Sequence, residues 1–403
     1  MSSAGTGLAA APARPLIASN WQAPERVRGW GPKAFVAGGV GLAASVVGFL
    51  TDREHFFTSY LLGYSFWLSL ALGCLGLLML HHMSRGTWGL PARRIWEAGA
   101  RTLLPLAILF LPVLFGMSEL YSWTRPEVAA EEMVAAKKFY LSVPFFLGRY
   151  VFFFLVWIFL AERLSRLSAE QDGGGQVARK MQVVAAPGLL IYALTVTFAS
   201  FDWLMSLEPK WFSTIYGLWL IVGSALAAMA FTIIMARSLA QEAPMDGAFG
   251  ARHFHDYGKL TFAFTILWTY ITFSQFLIIW SANLPVEIPF YLTRSHNGWQ
   301  YISAFLIFCQ FVIPFVLLLS RDRKRHAGRL VKVAWLALLM RFVDLAWQIC
   351  PNFRPSSIAP NWMDFAALVG VGGIWLGLFA RNLGSRPLLP VNAPNLAESL
   401  GDE

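Results

Sequence analysis

The chain has 403 residues, of which 57% are hydrophobic and only 14% are charged, and its formal net charge is +9. A soluble domain contains roughly 25% charged and about 45–50% apolar residues, so this composition excludes an ordinary soluble protein. The apolar residues come in blocks of about 20 residues, which is the length that a helix needs to cross a membrane. The sequence therefore predicts an all-α polytopic membrane protein.

Ten apolar blocks follow one another along the chain and predict ten transmembrane helices. Spans 1 to 10 are expected at residues 33–51, 57–80, 101–120, 147–166, 185–205, 212–236, 259–281, 297–320, 329–350 and 361–381. On either side of this membrane domain, 33–381, we expect a cytoplasmic N-terminal segment at 1–32 and a cytoplasmic C-terminal tail at 382–403. The N-terminal segment lacks the charged and apolar regions of a cleaved signal peptide.

The basic residues of the loops predict the orientation of the chain in the membrane. The side that carries both termini holds 23 Lys and Arg residues, whereas the loops of the other side hold 8. Because cytoplasmic loops are enriched in basic residues, both termini are expected in the cytoplasm. This topology and the attraction of anionic lipid account for the positive net charge, and no nucleic acid partner is expected.

Repeated short patterns predict an internal duplication. "PFFLGR" precedes span 4 as "PFYLTR" precedes span 8, and "RRIWEAG" precedes span 3 as "RHFHDYG" precedes span 7. Asp202 and Asp344 each lie seven residues before a proline. We therefore expect two copies, at about 57–205 and 212–350, each forming an up-and-down four-helix bundle. Spans 2–5 form the first bundle, spans 6–9 form the second, and spans 1 and 10 flank them.

Six charged residues at the ends of the spans form the candidate site. Charged side chains at membrane depth are costly and are usually functional or paired. The candidates for a proton path or polar site are Asp202, Asp344, Arg341, Arg149, Arg294 and Glu208. Two interpretations remain open: ion pairs that fix the packing of the helices, or a site that handles protons or a polar headgroup. We expect the buried ionic groups near the outer side of the membrane, and Glu208 in a turn where it caps span 6.

Histidine and cysteine positions argue against a cofactor within this chain. The seven histidines lie at span ends or in loops, whereas a membrane haem needs His ligands from helix interiors. Cys74, Cys309 and Cys350 are far apart, and no C-x-x-C pair indicates an iron–sulfur cluster or a structural zinc. We therefore expect no metal site and no bound redox cofactor, and we assign no catalytic residue.

Three motifs resemble one family of respiratory membrane proteins. "SFDWLMSLEPKWFSTIYG", "VPFFLGRY" and "IIWSANLPVE" are similar to the F subunit (ActF-type) of bacterial alternative complex III, a quinol:cytochrome c oxidoreductase. That subunit is an NrfD/polysulfide-reductase-like membrane protein, and the resemblance extends from span 1 through span 10. It implies ten helices in two four-helix bundles, located in the bacterial inner membrane.

The resemblance also implies partners and a role. The partners would be a sister NrfD-like membrane subunit that holds the main quinol site, an iron–sulfur subunit, c-type cytochrome subunits, membrane lipids and a terminal oxidase. Electrons would then travel through iron–sulfur clusters and haem c in those partners. The present chain would carry no redox cofactor, would support assembly of the complex and would conduct protons; the resemblance leaves open whether this chain also binds quinone.

Two other functions are compatible with the same sequence. A secondary transporter also uses internal repeats and intramembrane charges, but its binding site typically lies at broken helices. No predicted span here reads as clearly broken at mid-depth. The third possibility is a purely structural scaffold subunit.

Overall fold

The computed structural model describes residues 21–401, and this part of the chain consists of helices joined by turns, without a β-strand. The ten long helices are α1 (Glu25–Thr51), α2 (Arg53–Ser84), α3 (Arg93–Phe115), α4 (Val143–Asp172), α5 (Ala178–Trp203), α6 (Tyr216–Leu239), α7 (Ala251–Ala282), α8 (Trp299–Leu319), α9 (Ala327–Ile349) and α10 (Trp362–Gly384). Single-turn or two-turn helices occur at Thr87–Gly89, Met117–Leu120, Ser122–Thr124, Pro126–Ala129, Glu132–Ala135, Met205–Leu207, Pro289–Thr293, Arg321–Arg325, Cys350–Asn352 and Leu396–Gly401.

Nine of these long helices, counted over residues 21–401, are apolar and long enough to cross a membrane. The exception is α9, which has 23 residues but carries the charged side chains of Arg329, Lys332, Arg341 and Asp344. Helix α9 is long enough to span, and its burial in the second bundle shields Arg341 and Asp344 from lipid. The prediction of an all-α polytopic membrane protein is confirmed.

The two ends of the membrane domain differ from the predicted boundaries. Helix α1 begins at Glu25, directly after Pro24, so it includes part of the expected N-terminal segment 1–32; residues 1–20 lie outside the described part of the chain. The expected tail packs against the protein, and the Leu388 N–H donates to the Trp21 carbonyl at 2.7 Å. Both described termini therefore lie at the same end of the helices.

The helices form two four-membered rings. Helices α2, α3, α4 and α5 contact one another in sequence and close into a first bundle, and α6, α7, α8 and α9 do the same in a second bundle. Helix α2 contacts α6 at the centre, α5 contacts α6, and α9 contacts α2. These contacts are the ones that a two-fold axis between the bundles would produce. The internal duplication stays a prediction, and the arrangement agrees with it.

Helix α3 is kinked inside the first bundle. Its regular α-helical pattern is interrupted at 101–102 and again at Phe110, although the Phe110 N–H still donates to the Leu106 carbonyl at 3.0 Å. Pro105 and Pro112 lack the N–H that a continuous helix requires. Three tyrosine hydroxyls donate to backbone carbonyls of this helix: Tyr60 to Leu109 at 2.7 Å, Tyr64 to Leu106 at 2.9 Å and Tyr150 to Ala107 at 2.7 Å. The kinks thus free backbone carbonyls at membrane depth, where hydroxyls of neighbouring helices satisfy them.

Helix α8 is also irregular. It contains a π-helical turn at Ile307–Val312, and Pro314 follows directly after the start of the next regular turn. A π turn inserts an extra residue into a helix and often occurs at functional sites. The kinks of α3 and the π turn of α8 distort these helices without ending them.

Glycines allow α1 and α10 to lie against each other with their backbones in contact. A Cβ atom at Gly373 would lie 2.2 Å from the Gly38 nitrogen, and one at Gly41 would lie 2.4 Å from the Gly370 nitrogen. Small residues of this kind allow close packing of helices in membranes. The pair α1–α10 is therefore held by backbone approach rather than by interlocking of large side chains.

We expect Gly373→Val to separate α1 from α10, because the new side chain would overlap the backbone of Gly38. The expected loss is about 1–3 kcal/mol of unfolding free energy, measured by denaturant unfolding of the purified protein in detergent. Gly39→Val is the matched control, since a Cβ there meets nothing within 4 Å. Equal losses for both variants would contradict this account of the packing.

Candidate functional site

Arg149 and Asp202 form a buried ion pair between α4 and α5. Arg149 Nε donates to Asp202 Oδ2 at 2.7 Å, and Nη2 donates to Oδ1 at 2.9 Å. The side chain of Asp202 is 0% exposed. The two parallel hydrogen bonds satisfy both carboxylate oxygens, which is the arrangement that makes a buried pair tolerable. We refer to this end of the bundles, where α5 ends, as the Asp202 end.

A segment between α3 and α4 covers the pair. The carbonyl of Tyr140 accepts a hydrogen bond from Arg149 at 3.0 Å, and the guanidinium lies over the Tyr140 ring at 3.9 Å. Lys137 anchors the same segment by donating to the Pro209 carbonyl at 2.9 Å. Burial, together with the Asp202 carboxylate, raises the pKa of Tyr140, so its phenol stays protonated beside that carboxylate.

The second bundle contains a less complete pair. Arg341 Nη1 donates to Asp344 Oδ2 at 2.6 Å, one turn apart on α9. Arg341 Nε and Nη2 and Asp344 Oδ1 are buried without a hydrogen-bond partner. Gly223 of α6 provides space for the guanidinium, since a Cβ there would lie 2.2 Å from Arg341 Nη1. The prediction that these two residues share a helix face is confirmed.

Arg294 does not contact the acid of its own bundle in the way that Arg149 does. It donates to the carbonyls of Trp347 at 3.1 Å and Gln348 at 2.9 Å, which belong to the last turn of α9. The last four carbonyls of a helix lack partners within the helix and carry its negative dipole end. Arg294 therefore caps α9. Its burial lowers the pKa to about 10, so the guanidinium remains charged at neutral pH.

Glu208 does not cap α6. That helix begins at Tyr216 with Ile215 at its N-cap position and without a capping side chain. The Glu208 carboxylate instead faces Arg294, with Oε2 3.9 Å from Nη1. Burial raises the pKa of Glu208, and Arg294 opposes that rise. The predicted capping role of Glu208 is therefore wrong. Its contact with Arg294 instead connects the turn after α5 to the second bundle.

A second ionic cluster lies at the opposite end of the first bundle and was missed in the sequence. Arg93 Nε donates to Glu97 Oε1 at 2.8 Å and Arg94 Nη1 donates to Oε2 at 2.6 Å. Both arginines also donate to the Ser168 hydroxyl, and Arg94 pairs with Asp172. We refer to this as the Glu97 end. Because α4 spans both clusters, Arg149 and Ser168 are about 29 Å apart along it.

The Glu97 cluster corrects the expectation that buried ionic groups lie on one side. Arg93, Arg94 and Glu97 are each less than 5% exposed. Within "RRIWEAG" their spacing of three and four residues places them on one helix face, and this was the signal available in the sequence. Lys and Arg residues at the ends of spans usually mark the cytoplasmic side of the membrane. Counting them as loop residues therefore gave no indication that Arg93 and Arg94 are buried.

The C-terminal segment crosses the Glu97 end. Arg386 donates to the Ser165 carbonyl at 2.8 Å, and Asn392 donates to the Asp172 carbonyl at 2.9 Å. Further along, the Ser399 hydroxyl bonds to His253 at 3.1 Å. The segment thus contacts both bundles where their helices begin and end.

The histidine and cysteine side chains in the described part of the chain do not come together at a possible metal site. Cys74, Cys309 and Cys350 are free thiols. In residues 21–401, no group of three or more His, Cys, Asp or Glu side chains is placed to hold a metal ion. His81 Nδ1 and His82 Nε2 are buried near the Glu97 end without a hydrogen-bond partner.

Comparisons with known proteins do not assign the chain to a family. No protein-family model matches it, and no curated protein matches it. Inferences about function therefore rest on the geometry of the Asp202 end and the Glu97 end.

Removing one member of the Arg149–Asp202 pair should be strongly destabilising. Arg149→Met leaves a buried carboxylate without its cation, and the expected cost is about 3–5 kcal/mol of unfolding free energy. Adding Asp202→Leu should restore most of that loss, since no buried charge remains. Denaturant unfolding in detergent measures both effects.

The control for this pair is Lys210→Met, which breaks the exposed pair of Lys210 with Glu131. We expect a loss of less than about 1 kcal/mol there. A loss for Arg149→Met as small as that of the control would show that the buried pair does not stabilise the bundle.

Glu208→Gln should change stability in a pH-dependent way. Because the folded-state pKa of Glu208 is raised, ionisation is less favourable in the folded than in the unfolded protein. The free energy of unfolding therefore falls as pH rises through that folded pKa, although Arg294 is nearby. The Gln variant should unfold at a higher temperature than the parent at neutral pH. The two should converge below the ordinary Glu pKa of about 4.3; a difference of constant size at every pH would contradict the assignment.

Proposed function

We propose that the chain is a membrane subunit of a bacterial respiratory complex of the alternative complex III kind. Such a complex oxidises quinol and reduces cytochrome c or another electron acceptor. In this proposal the chain itself carries no redox cofactor, lies in the inner membrane with both termini in the cytoplasm, supports assembly of the complex, and conducts protons through its first bundle.

The meeting of two sequence motifs supports this proposal. "VPFFLGRY" supplies Arg149 and "SFDWLMSLEPKWFSTIYG" supplies Asp202, and the two residues form the bidentate pair. Trp211 of the second motif stacks on Phe290 with ring centroids 4.0 Å apart. That ring lies three residues after Glu287, the end of the third motif, "IIWSANLPVE". Two of the three motifs that carry the resemblance thus meet at the Asp202 end, and the third ends three residues before Phe290.

The single observation that supports the proton-conducting role is the set of buried polar groups beside kinked α3. Glu97 lies at one end of the first bundle and Asp202 at the other, each buried with an arginine partner. Between them, the hydroxyls of Tyr60, Tyr64 and Tyr150 donate hydrogen bonds to backbone carbonyls of α3. Near Asp202, Tyr121 donates to the Trp203 carbonyl at 3.2 Å. Ionisable and hydroxyl groups inside membrane bundles are typical of proton relays.

Electron transfer belongs to the partners in this proposal. A sister NrfD-like subunit would hold the quinol site, and an iron–sulfur subunit and c-type cytochrome subunits would carry the electrons onward. Membrane lipids and a terminal oxidase complete the expected partners. The chain described here would contribute the membrane frame and the proton route beside them.

A secondary transporter is the second candidate function. The kinks of α3 and the π turn at Ile307–Val312 in α8 favour it, because transporter binding sites typically lie where a spanning helix is irregular. A transporter would be stable and would bind its solute as an isolated chain. A respiratory subunit should instead be recovered with haem c and iron–sulfur subunits.

Purification of the chain from its native membrane under mild detergent tests the assignment. We expect copurifying subunits with the visible absorbance of c-type haem and with iron in excess of the haem content, which indicates iron–sulfur clusters. A lone, stable protein without these subunits would contradict the respiratory proposal and favour the transporter.

Substitutions in the intact complex test the proton route. Asp202→Asn and Glu97→Gln should each reduce proton release or uptake per electron by roughly ten-fold or more, while quinol oxidation with an artificial acceptor changes less. Tyr64→Phe, which removes one hydroxyl, should give a smaller effect of the same kind. Glu162→Gln at a partly exposed pair with Arg101 is the control. Unchanged proton release in stable Asp202 and Glu97 variants would favour the scaffold interpretation.

A further inference from the structure

A cavity of about 470 Å³ lies at the Glu97 end of the second bundle, between the last turn of α8 and the first turns of α9. Two contacts near the start of α7 fix this position. A Cβ atom at Gly258 would lie 2.7 Å from Lys324 Cγ, and His253 bonds to the C-terminal segment that crosses this end. Ligand pockets typically measure about 300–1,000 Å³, so the cavity is large enough to hold part of a small molecule.

The lining of the cavity is charged on one side and apolar on the other. Arg329 and Lys332 lie one turn apart on α9, and Leu336 follows one turn further on the same face. Leu317 of α8 contributes to the apolar side. Because α9 starts at this end and runs into the bundle, the cavity changes from cationic to apolar in the direction of the membrane interior. A phospholipid has the same order, with a charged head above its acyl chains.

Two of the three cations at the cavity have no acidic partner. Among the described residues that line it, Asp322 is the one carboxylate, and it contacts Arg329 through Oδ2. His326 Nδ1 lies 3.0 Å from the other oxygen, Oδ1. Neither Arg323 nor Lys332 forms an ion pair within residues 21–401. The cavity therefore has an excess of positive charge that an anion can neutralise.

The corresponding end of the first bundle is closed. Between α4 and α5, Asn392 of the C-terminal segment donates to the Asp172 carbonyl at 2.9 Å, and Lys180 pairs with Glu170 at 3.1 Å. The first bundle thus obtains both a cover and a counter-charge from the chain itself, whereas the cavity at α8 and α9 is open and cationic. This difference points to an external anion at the second bundle.

The two sides of the cavity together select an anionic phospholipid. Arginine and lysine donate charge-assisted hydrogen bonds to phosphate oxygens, and basic pockets between transmembrane helices on the cytoplasmic side bind anionic lipid headgroups. The uncompensated cations would repel a headgroup that carries an ammonium. A soluble phosphate ester would neutralise the charge but would leave Leu317 and Leu336 uncovered.

We propose that this cavity binds one anionic phospholipid, with its phosphate at Arg323 and Lys332 and the start of an acyl chain against Leu317 and Leu336. Leu339, which is exposed on α9 one turn beyond Leu336, would extend the path of that chain. The site requires neither the proton route of the first bundle nor a respiratory partner.

Titration of the full-length, delipidated chain in neutral detergent, followed by native mass spectrometry, tests the head chemistry. Dioleoylphosphatidylglycerol is compared with dioleoylphosphatidylcholine, which has the same acyl chains and phosphate but an added ammonium. We expect one phosphatidylglycerol molecule to bind roughly ten-fold to thirty-fold more tightly than phosphatidylcholine. Glycerol 1-phosphate, which has no acyl chain, should not displace it even in large molar excess.

Two double variants with the same loss of charge test the location. Arg323→Gln with Lys332→Gln should abolish the preference for phosphatidylglycerol, since both cations line the cavity. Arg321→Gln with Arg325→Gln is the control, because these exposed residues lie in the same connection and do not line the cavity. Exposed charges contribute little to stability, so both variants should fold.

Leu317→Trp tests the position of the acyl chain, because an indole there would fill the apolar side of the cavity. It should weaken phosphatidylglycerol binding about ten-fold or more. Leu319→Trp, on the same helix but exposed and outside the lining, should leave binding unchanged. The proposal is overturned if the two phospholipids bind equally well, if glycerol 1-phosphate displaces the lipid, or if the variants at the cavity behave like their controls.

Discussion

A charge can be buried in an apolar bundle only when other groups replace the water it loses, and this constraint determines where the ionic side chains lie. Arg149 and Asp202 satisfy it with two parallel hydrogen bonds across α4 and α5. Arg294 satisfies it with backbone carbonyls at the end of α9. Leaving one member of such a pair alone costs far more than the pair contributes, so each charge fixes the helices around it.

The two bundles meet this constraint to different degrees. In the first, both oxygens of Asp202 accept hydrogen bonds from Arg149, and aromatic rings pack around the neighbouring Trp203. In the second, Asp344 accepts one hydrogen bond from Arg341, and Trp268 and Gln348 lie beside the same carboxyl. The first pair therefore connects two helices directly, whereas the second lies within one helix and depends on neighbouring side chains.

The long apolar blocks of the sequence predicted the fold. Two parts of the candidate site, the contacts of Arg294 and the Glu97 cluster, were not predicted. The apolar blocks predicted all ten long helices because membrane length and hydropathy dominate over local preference. The Arg341–Asp344 pair was predictable since its three-residue spacing is fixed by the helix. The partner of Arg294 was not, because backbone carbonyls leave no trace in the sequence. The Glu97 cluster was missed since buried arginines at a helix start look like loop arginines that mark topology.

In the proposed proton route, the geometry of Arg149 sets what Asp202 can do. Asp202 accepts two hydrogen bonds from Arg149, so it can bind a proton only after at least one of these bonds breaks. The Arg149 guanidinium also lies over the rings of Tyr140 and Phe145, and Nη1 has no partner. When one bond to Asp202 breaks, these cation–π contacts would still stabilise the arginine. The covering segment with Tyr140 would then control protonation at this end of the bundle.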